Sequence, residues 1–269
     1  MKILHLSDLH LRDGWYEEQG AVLDAFVKDL KLRLSRATDP WLILSGDFVQ
    51  AGGDQHFFVL FEAYLDPILR ELNIPEKRRI FVPGNHDISR DGVRMTTQLA
   101  LAERPDDEAT FNNHVYTEYR DILFPKFASY FLFEAKLASY GCGEASFGGS
   151  GHDVGDGVGV YTLNTALFSF GGVPRADGRP IDDSRLLRIE TRRLNRWLQE
   201  TEFKYRILVM HHPAVQMVDW AKTQLDQLAN RSFDLVLQDH VHRSDARYFQ
   251  TGSGRAVICT APALFTRKG

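Results

Sequence analysis

The chain has 269 residues, 43% of them hydrophobic and 25% charged, and a formal net charge of −4. This length and balance fit one globular domain and exclude a disordered, fibrous or disulfide-stapled chain. The acidic balance offers no overall attraction to nucleic acid or anionic membranes, and no run of about 18 apolar residues supplies a spanning helix.

In chain order, the first predicted element is the strand Lys2-Ile3-Leu4-His5-Leu6, which ends in Asp8-Leu9-His10. Residues 20–36 then show helical spacing, with Val22, Phe26, Leu30 and Leu34 on one stripe. Thr38-Asp39-Pro40 breaks that pattern before a second strand, Trp41-Leu42-Ile43-Leu44, which ends in Gly46-Asp47. A second helix is predicted from Gln55 to Leu72, with Pro67 inside it. A third apolar run, Ile80-Phe81-Val82, leads into Pro83-Gly84-Asn85-His86-Asp87, where Pro83 ends the strand and Gly84 permits a sharp turn. This βαβαβ order implies a largely parallel sheet with helices on its faces, an α/β fold.

Residues 89–151 read as a helical, aromatic-rich insertion within a single domain spanning 1–269. It directly follows the Asn85-His86-Asp87 turn, so it can cap a site there. The better expectation for most of its rings, Phe111, Tyr116, Tyr119, Phe124, Phe127, Tyr130, Phe131, Phe133 and Tyr140, is a small core of their own. The glycine-rich stretch 148–159 reads as a flexible connection, and Val158 to Asn164 as a strand. A helix is predicted from Asp182-Asp183-Ser184 to about Glu200, with Arg185, Arg188, Arg192 and Arg196 on a solvated face opposite Leu187, Leu194 and Leu198. Two more strands deliver polar residues: Ile207 to Met210 ends in His211-His212, and Leu235 to Leu237 leads into Asp239-His240-Val241-His242. Residues 245–259 read as two strands about a turn.

Five apolar strands thus deliver carboxylates, an amide and imidazoles to what can be one rim, and ligands of open α/β sheets bind outside the carboxyl ends of strands. These oxygen and nitrogen donors suit manganese, iron or zinc. His5, His56, His114 and His152 lie outside the series and are read as structural or surface groups. The two cysteines, Cys142 and Cys259, are too few for a disulfide framework, and a cytoplasmic setting is expected. A cleaved signal peptide would remove Asp8 and His10, so none is expected.

The series Asp8-x-His10, Gly46-Asp47, Gly84-Asn85-His86-Asp87, His211 and His240-x-His242 resembles the calcineurin-like metallophosphoesterases in order and spacing, across nearly the whole chain. One departure is Asp239, which stands where that family has glycine. Either the backbone there needs a positive φ, which Asp tolerates less well than Gly, or the added carboxylate bonds a ligand imidazole. The resemblance implies a four-layer αββα sandwich and two divalent ions. Asp8, His10, Asp47 and His242 would hold the first, and Asp47, Asn85, His211 and His240 the second, with Asp47 as the bridge.

It further implies hydrolysis of a phosphate ester by a hydroxide shared between the ions. His86 would assist the leaving group or the transition state, and Asp87 would orient it. Asn85 and His86 would also touch substrate; His212 can do so or pack locally. The expected substrate is a phosphodiester, such as a cyclic nucleotide or a nucleic-acid end. A nuclease of the same fold, the catalytic domain of a longer protein, and a scaffold without chemistry are the rival readings.

Overall fold

A strand buried on both faces must be apolar at every position, and the computed structural model shows why the central runs here are unbroken. It describes residues 2–34, 40–138, 146–170, 181–240, 245–251 and 254–261. Strands β1 (Lys2–Leu6), β2 (Pro40–Leu44) and β3 (Arg79–Phe81) form a parallel sheet in that order. Helices α1 (Trp15–Leu34) and α2 (Gln55–Glu71) are the crossovers between them. The second sheet has the order β4-β5-β6-β7-β9-β8. Its strands are β4 (Gly149–Asp153), β5 (Val158–Leu163), β6 (Tyr205–Val209), β7 (Leu235–Gln238), β8 (Asp245–Thr251) and β9 (Gly254–Thr260). Strands β5, β6, β7 and β9 run parallel, and β4 and β8 are antiparallel edges.

Side chains alternate between two buried environments, as the strand period of two requires. Trp41, Ile43, Ile80 and Val82 meet Val158, Val160, Ile207, Val209 and Leu237 in one cluster between the sheets. Leu42, Leu44 and Phe81, and likewise Tyr161, Leu163, Leu208 and Val236, point the other way into a second cluster beneath the helices. The layers are therefore helix, sheet, sheet, helix, with α7 (Arg192–Glu200) and α8 (Asp219–Ser232) over the larger sheet.

The insertion contains α3 (Met95–Ala102), α4 (Glu108–His114), α5 (Glu118–Leu123) and α6 (Ala128–Leu137). Its rings do not form a separate core. Phe133 packs on Phe58 (4.9 Å), Phe61 (5.2 Å), Phe81 (5.5 Å) and Phe48 (5.9 Å), which joins α6 to α2 and the first sheet. Tyr140 and Cys142 lie outside the described residues.

Three expectations need correction. The stretch 148–159 is not a loose connection but the β4–β5 hairpin, and its glycine has a packing role: a Cβ on Gly151 would stand 2.2 Å from the Trp197 ring. Val22 points to solvent, and Leu23 takes its place on the buried stripe of α1. The helix expected from 182 begins only at Arg192. Ahead of it Arg185 adopts φ 63°, Leu187 bridges Met217, and Leu187 to Thr191 are buried. Arg188 is consequently an interior group: it donates to the carbonyls of Ala102 (3.0 Å) and Arg104 (2.7 Å) and lies over the Phe168 ring.

Candidate metal centre

Because β1, β2, β3, β6 and β7 are mutually parallel within their sheets, the loops that follow them can gather at one edge. Backbone hydrogen bonds join these loops: Asp8 N to Gly46 O, His10 N to Asp47 O and Asp239 N to His211 O, each 3.0 Å, and Gly52 N to His86 O at 2.7 Å. A Cβ on Gly84 would lie 2.2 Å from Asp47 Oδ1, so only glycine lets the third loop approach the second this closely. Asp8, His10, Asp47 and His240 all take positive φ, between 45° and 72°. Such backbone is costly for these residues and concentrates at functional sites.

The donor atoms converge. Asn85 Oδ1 is 3.2 Å from His211 Nε2 and 3.1 Å from His240 Nδ1, and those two nitrogens are 3.3 Å apart. Asp47 Oδ2 lies 3.3 Å from His211 Nε2 and 3.8 Å from His10 Nε2, which in turn is 3.4 Å from Asp8 Oδ1. Ligands held at about 2.1 Å around one cation are separated by roughly 3.0–3.4 Å, so the first set already has the spacing of a coordination shell. Asp47 belongs to both sets through one oxygen. The donor set fits divalent ions chemically: two carboxylates, an amide oxygen and imidazoles, with no thiolate.

Two of the donors, His211 and Asp8, are aimed by a partner on their other side. His211 Nδ1 donates to the Ser45 carbonyl at 2.7 Å, leaving Nε2 for the centre. Ser7 Oγ donates to Asp8 Oδ2 at 2.7 Å. Burial disfavours charge on His211, but Asp47 and Asp8 beside it hold its pKa up to about 10 in the metal-free protein. Asp8, Asp47, Asn85, His211 and His212 are buried, while His10, His86 and His240 are partly open and mark the side of entry.

His86 is present at the rim, 4.8 Å from the His10 ring, but Asp87 does not orient it. His86 Nδ1 donates instead to the Gln50 carbonyl at 3.0 Å. Asp87 turns the opposite way and accepts from the backbone N–H groups of Asp47 (2.6 Å), Phe48 (2.8 Å), Val49 (3.2 Å) and Gly84 (2.9 Å). An N–H cradle left by a sharp loop draws an adjacent carboxylate more strongly than one imidazole N–H does. Burial lowers the His86 pKa, with Asp47 opposing, which favours the neutral ring.

His212 is fully buried beside the centre, with Nδ1 2.9 Å from Thr165 Oγ1. At Asp239 the backbone does not need a positive φ; the neighbouring His240 takes it, at 72°. The Asp239 carboxyl is buried against Asp8 and Ser7 rather than a ligand imidazole, and burial followed by Asp8 raises its pKa to about 9. His242 lies outside the described residues. Of the other histidines, His5 bonds Ser45 Oγ (2.7 Å), His152 is buried against Ser150 and Thr162, and His56 pairs with exposed Asp13. Sequence reading missed the supporting partners. Ser7 and Thr165 carry a findable signal, a hydroxyl at a strand end, whereas the carbonyls of Ser45 and Gln50 carry none.

Known proteins resemble this chain. Across the described residues no helix is long and apolar enough to cross a membrane. An uncharacterised metallophosphoesterase-like protein of Bacillus subtilis (strain 168), YydB, is 25% identical over 154 residues, which are 51% of this chain and 31% of that relative. This chain therefore spans about a third of that relative's length. Among solved structures, a dimetal phosphatase from Danio rerio is 10% identical with a TM-score of 0.53, covering 97% of this chain and 87% of its own. A 5′-nucleotidase precursor from Thermus thermophilus is 12% identical with a TM-score of 0.43, covering 97% and 48%. The profile of the calcineurin-like phosphoesterases matches residues 1–244, so the chain belongs to that family.

Proposed function

We propose that this chain is a metal-dependent phosphoesterase that prefers phosphodiesters and works with two divalent cations, manganese or iron, or else zinc. The observation that carries the reading is Asp47 Oδ2, set 3.3 Å from His211 Nε2 and 3.8 Å from His10 Nε2, at the junction of two ligand sets. Asp8, His10 and Asp47, with His242, would hold one cation; Asp47, Asn85, His211 and His240 would hold the other. When bound, such a pair supplies Lewis acidity toward a phosphate oxygen and a water nucleophilic at neutral pH.

The chain's own residues do the rest. Asp47 keeps the two sets in register, because its backbone N–H is tied to Asp87 and its Oδ1 accepts from the His86 N–H at 2.8 Å. The Gln50 carbonyl holds the His86 hydrogen on Nδ1, so Nε2 is the nitrogen that would take a proton from water and then give that proton to the leaving oxygen. A diester leaving group needs that help more than a monoester bound as its dianion, and nucleotides or nucleic-acid ends supply such diesters. A reducing cytoplasm is the proposed setting, since two cysteines are too few for a disulfide framework.

The test is a metal-stripped protein reloaded with manganese, iron, zinc or magnesium. Each form is assayed on nitrophenyl mono- and diesters, cyclic nucleotides and short DNA. Diester hydrolysis by at least one form is expected, and His86→Ala should retain metal while losing roughly 10²–10⁴ in rate. Absence of hydrolysis with every ion would refute the reading; metal loss in His86→Ala would show that residue to be a ligand. Activity confined to DNA and lost steeply with salt would make the chain a nuclease.

A further inference from the structure

Thr165, in the loop after β5, is fully buried and meets His212 twice. The His212 backbone N–H donates to Thr165 Oγ1 at 3.0 Å, and the same oxygen lies 2.9 Å from His212 Nδ1. A hydroxyl has one hydrogen to give and two lone pairs to receive. Among the described residues Thr165 Oγ1 has no third partner, so its hydrogen has one available acceptor, Nδ1. The opposite assignment would bury that hydrogen with nothing to take it, which native structures avoid.

A neutral imidazole that accepts at Nδ1 carries its own hydrogen on Nε2. His212 Nε2 is buried, and it too has no partner among the described residues. A ring nitrogen of His212 lies within 4.8 Å of one on His211 and one on His240, and the His212 and His240 ring centres are 4.7 Å apart. Three imidazoles at one place suggest three metal ligands. A nitrogen that carries a hydrogen has no lone pair for a cation, however, so the third imidazole has a different task. What it lacks is an acceptor, and a phosphoryl oxygen is one.

We propose that His212 donates from Nε2 to a non-bridging oxygen of the substrate phosphoryl group, and that Thr165 is the positioning residue that fixes His212 in the donating tautomer. This rests on the phosphoesterase reading and adds to it the group that receives the phosphoryl oxygen. A buried donor aimed at an oxygen that gains charge stabilises that oxygen without reorganisation.

Zinc-loaded protein with ¹⁵N-labelled histidine tests the tautomer by long-range ¹⁵N–¹H NMR, on the wild type and on two variants. In the wild type, His212 Nδ1 should be unprotonated and Nε2 protonated. The variants Thr165→Val, which removes the hydroxyl at equal volume, and Thr165→Ser, which keeps it, are compared by zinc content and by calorimetric titration with inorganic phosphate. Thr165→Val should keep its zinc, show mixed tautomers and bind phosphate about tenfold more weakly, the usual scale for one hydrogen bond to a charged group. Thr165→Ser should stay close to the wild type on all three readouts. A wild-type His212 with its hydrogen on Nδ1, or phosphate affinity unchanged in Thr165→Val, would overturn the proposal. So would zinc lost in Thr165→Val, since His212 would then be a ligand. A wild type that takes up no zinc would instead sink the metal-centre reading itself.

Discussion

The Asp87 carboxylate accepts four backbone N–H groups from two loops, and nothing else described in the protein does this for the centre. Its contribution is therefore structural: it clamps the loop that carries Asp47 to the loop that carries Asn85 and His86. Asp87→Ala would leave those donors without an acceptor inside the protein. We expect a loss of roughly 3–5 kcal/mol in urea unfolding of the metal-free protein, as for removal of one partner from a buried charged network. Asp87→Asn, which keeps one acceptor oxygen, should recover part of that loss. An Asp87→Ala protein as stable as wild type, with only turnover reduced, would return Asp87 to the role of orienting His86.

At the scale of elements, the insertion is bound into the fold by aromatic packing. Phe133 is the centre of that packing, since its ring meets four others from β3, α2 and the loop after β2. Truncation to alanine removes a ring from a close-packed site, and Phe133→Ala should cost about 3–5 kcal/mol in thermal or urea unfolding. The same elements position the rim. Ser89 N–H donates to the Lys126 carbonyl at 2.7 Å, and the buried Lys126 ammonium reaches the Ser169 carbonyl at 2.5 Å. The loop after Asp87, the insertion and the segment after β5 are thus linked. If Phe133→Ala loosens this linkage, proteolysis should cut within 89–138 while residues 2–34 stay protected; uniform cleavage along the chain would show instead that the insertion opens only when the whole domain unfolds.

For the whole molecule, the metal-free protein holds protons that cations would displace. His211 has its pKa raised from 6.5 to about 10, and Asp239 has its pKa raised from 3.8 to about 9. A pKa raised by folding stabilises below the unfolded value and loses that stability as pH climbs through the folded one. The two windows overlap between pH 6.5 and about 9, and buried Lys126, its pKa lowered from 10.5 to about 7, opposes them above pH 7; two groups outweigh one, so the metal-free melting temperature should fall across that range. Each unit of displacement is worth about 1.4 kcal/mol. Cations take the place of the His211 proton, so the metal-loaded curve should be flatter and metal affinity should rise with pH. Parallel curves with and without metal would show that His211 holds no cation. Asp239→Asn should flatten the metal-free curve further, because burial is the first cause of its raised pKa.

Residue order alone made the candidate ligand positions legible, together with the strands that present them. Asp8, Asp47, Asn85, His211 and His240 each stand one to three residues beyond an apolar run, and strand period and turn chemistry act over such short distances. A largely parallel sheet with helices on its faces followed from the same local signals, whereas the pairing of two sheets in a sandwich was implied by the family resemblance. What the tertiary structure decided is the direction each donor's second atom faces: Asp87 toward the Asp47 loop, His86 toward the Gln50 carbonyl, His212 toward Thr165, Asp239 toward Asp8. It also drew Arg188 inside and merged the rings of the insertion with the main core. Those outcomes depend on hydrogen bonds and packing between groups tens of residues apart. A buried donor takes whichever acceptor the folded chain brings within about 3 Å, and no periodicity within a segment encodes which one that will be.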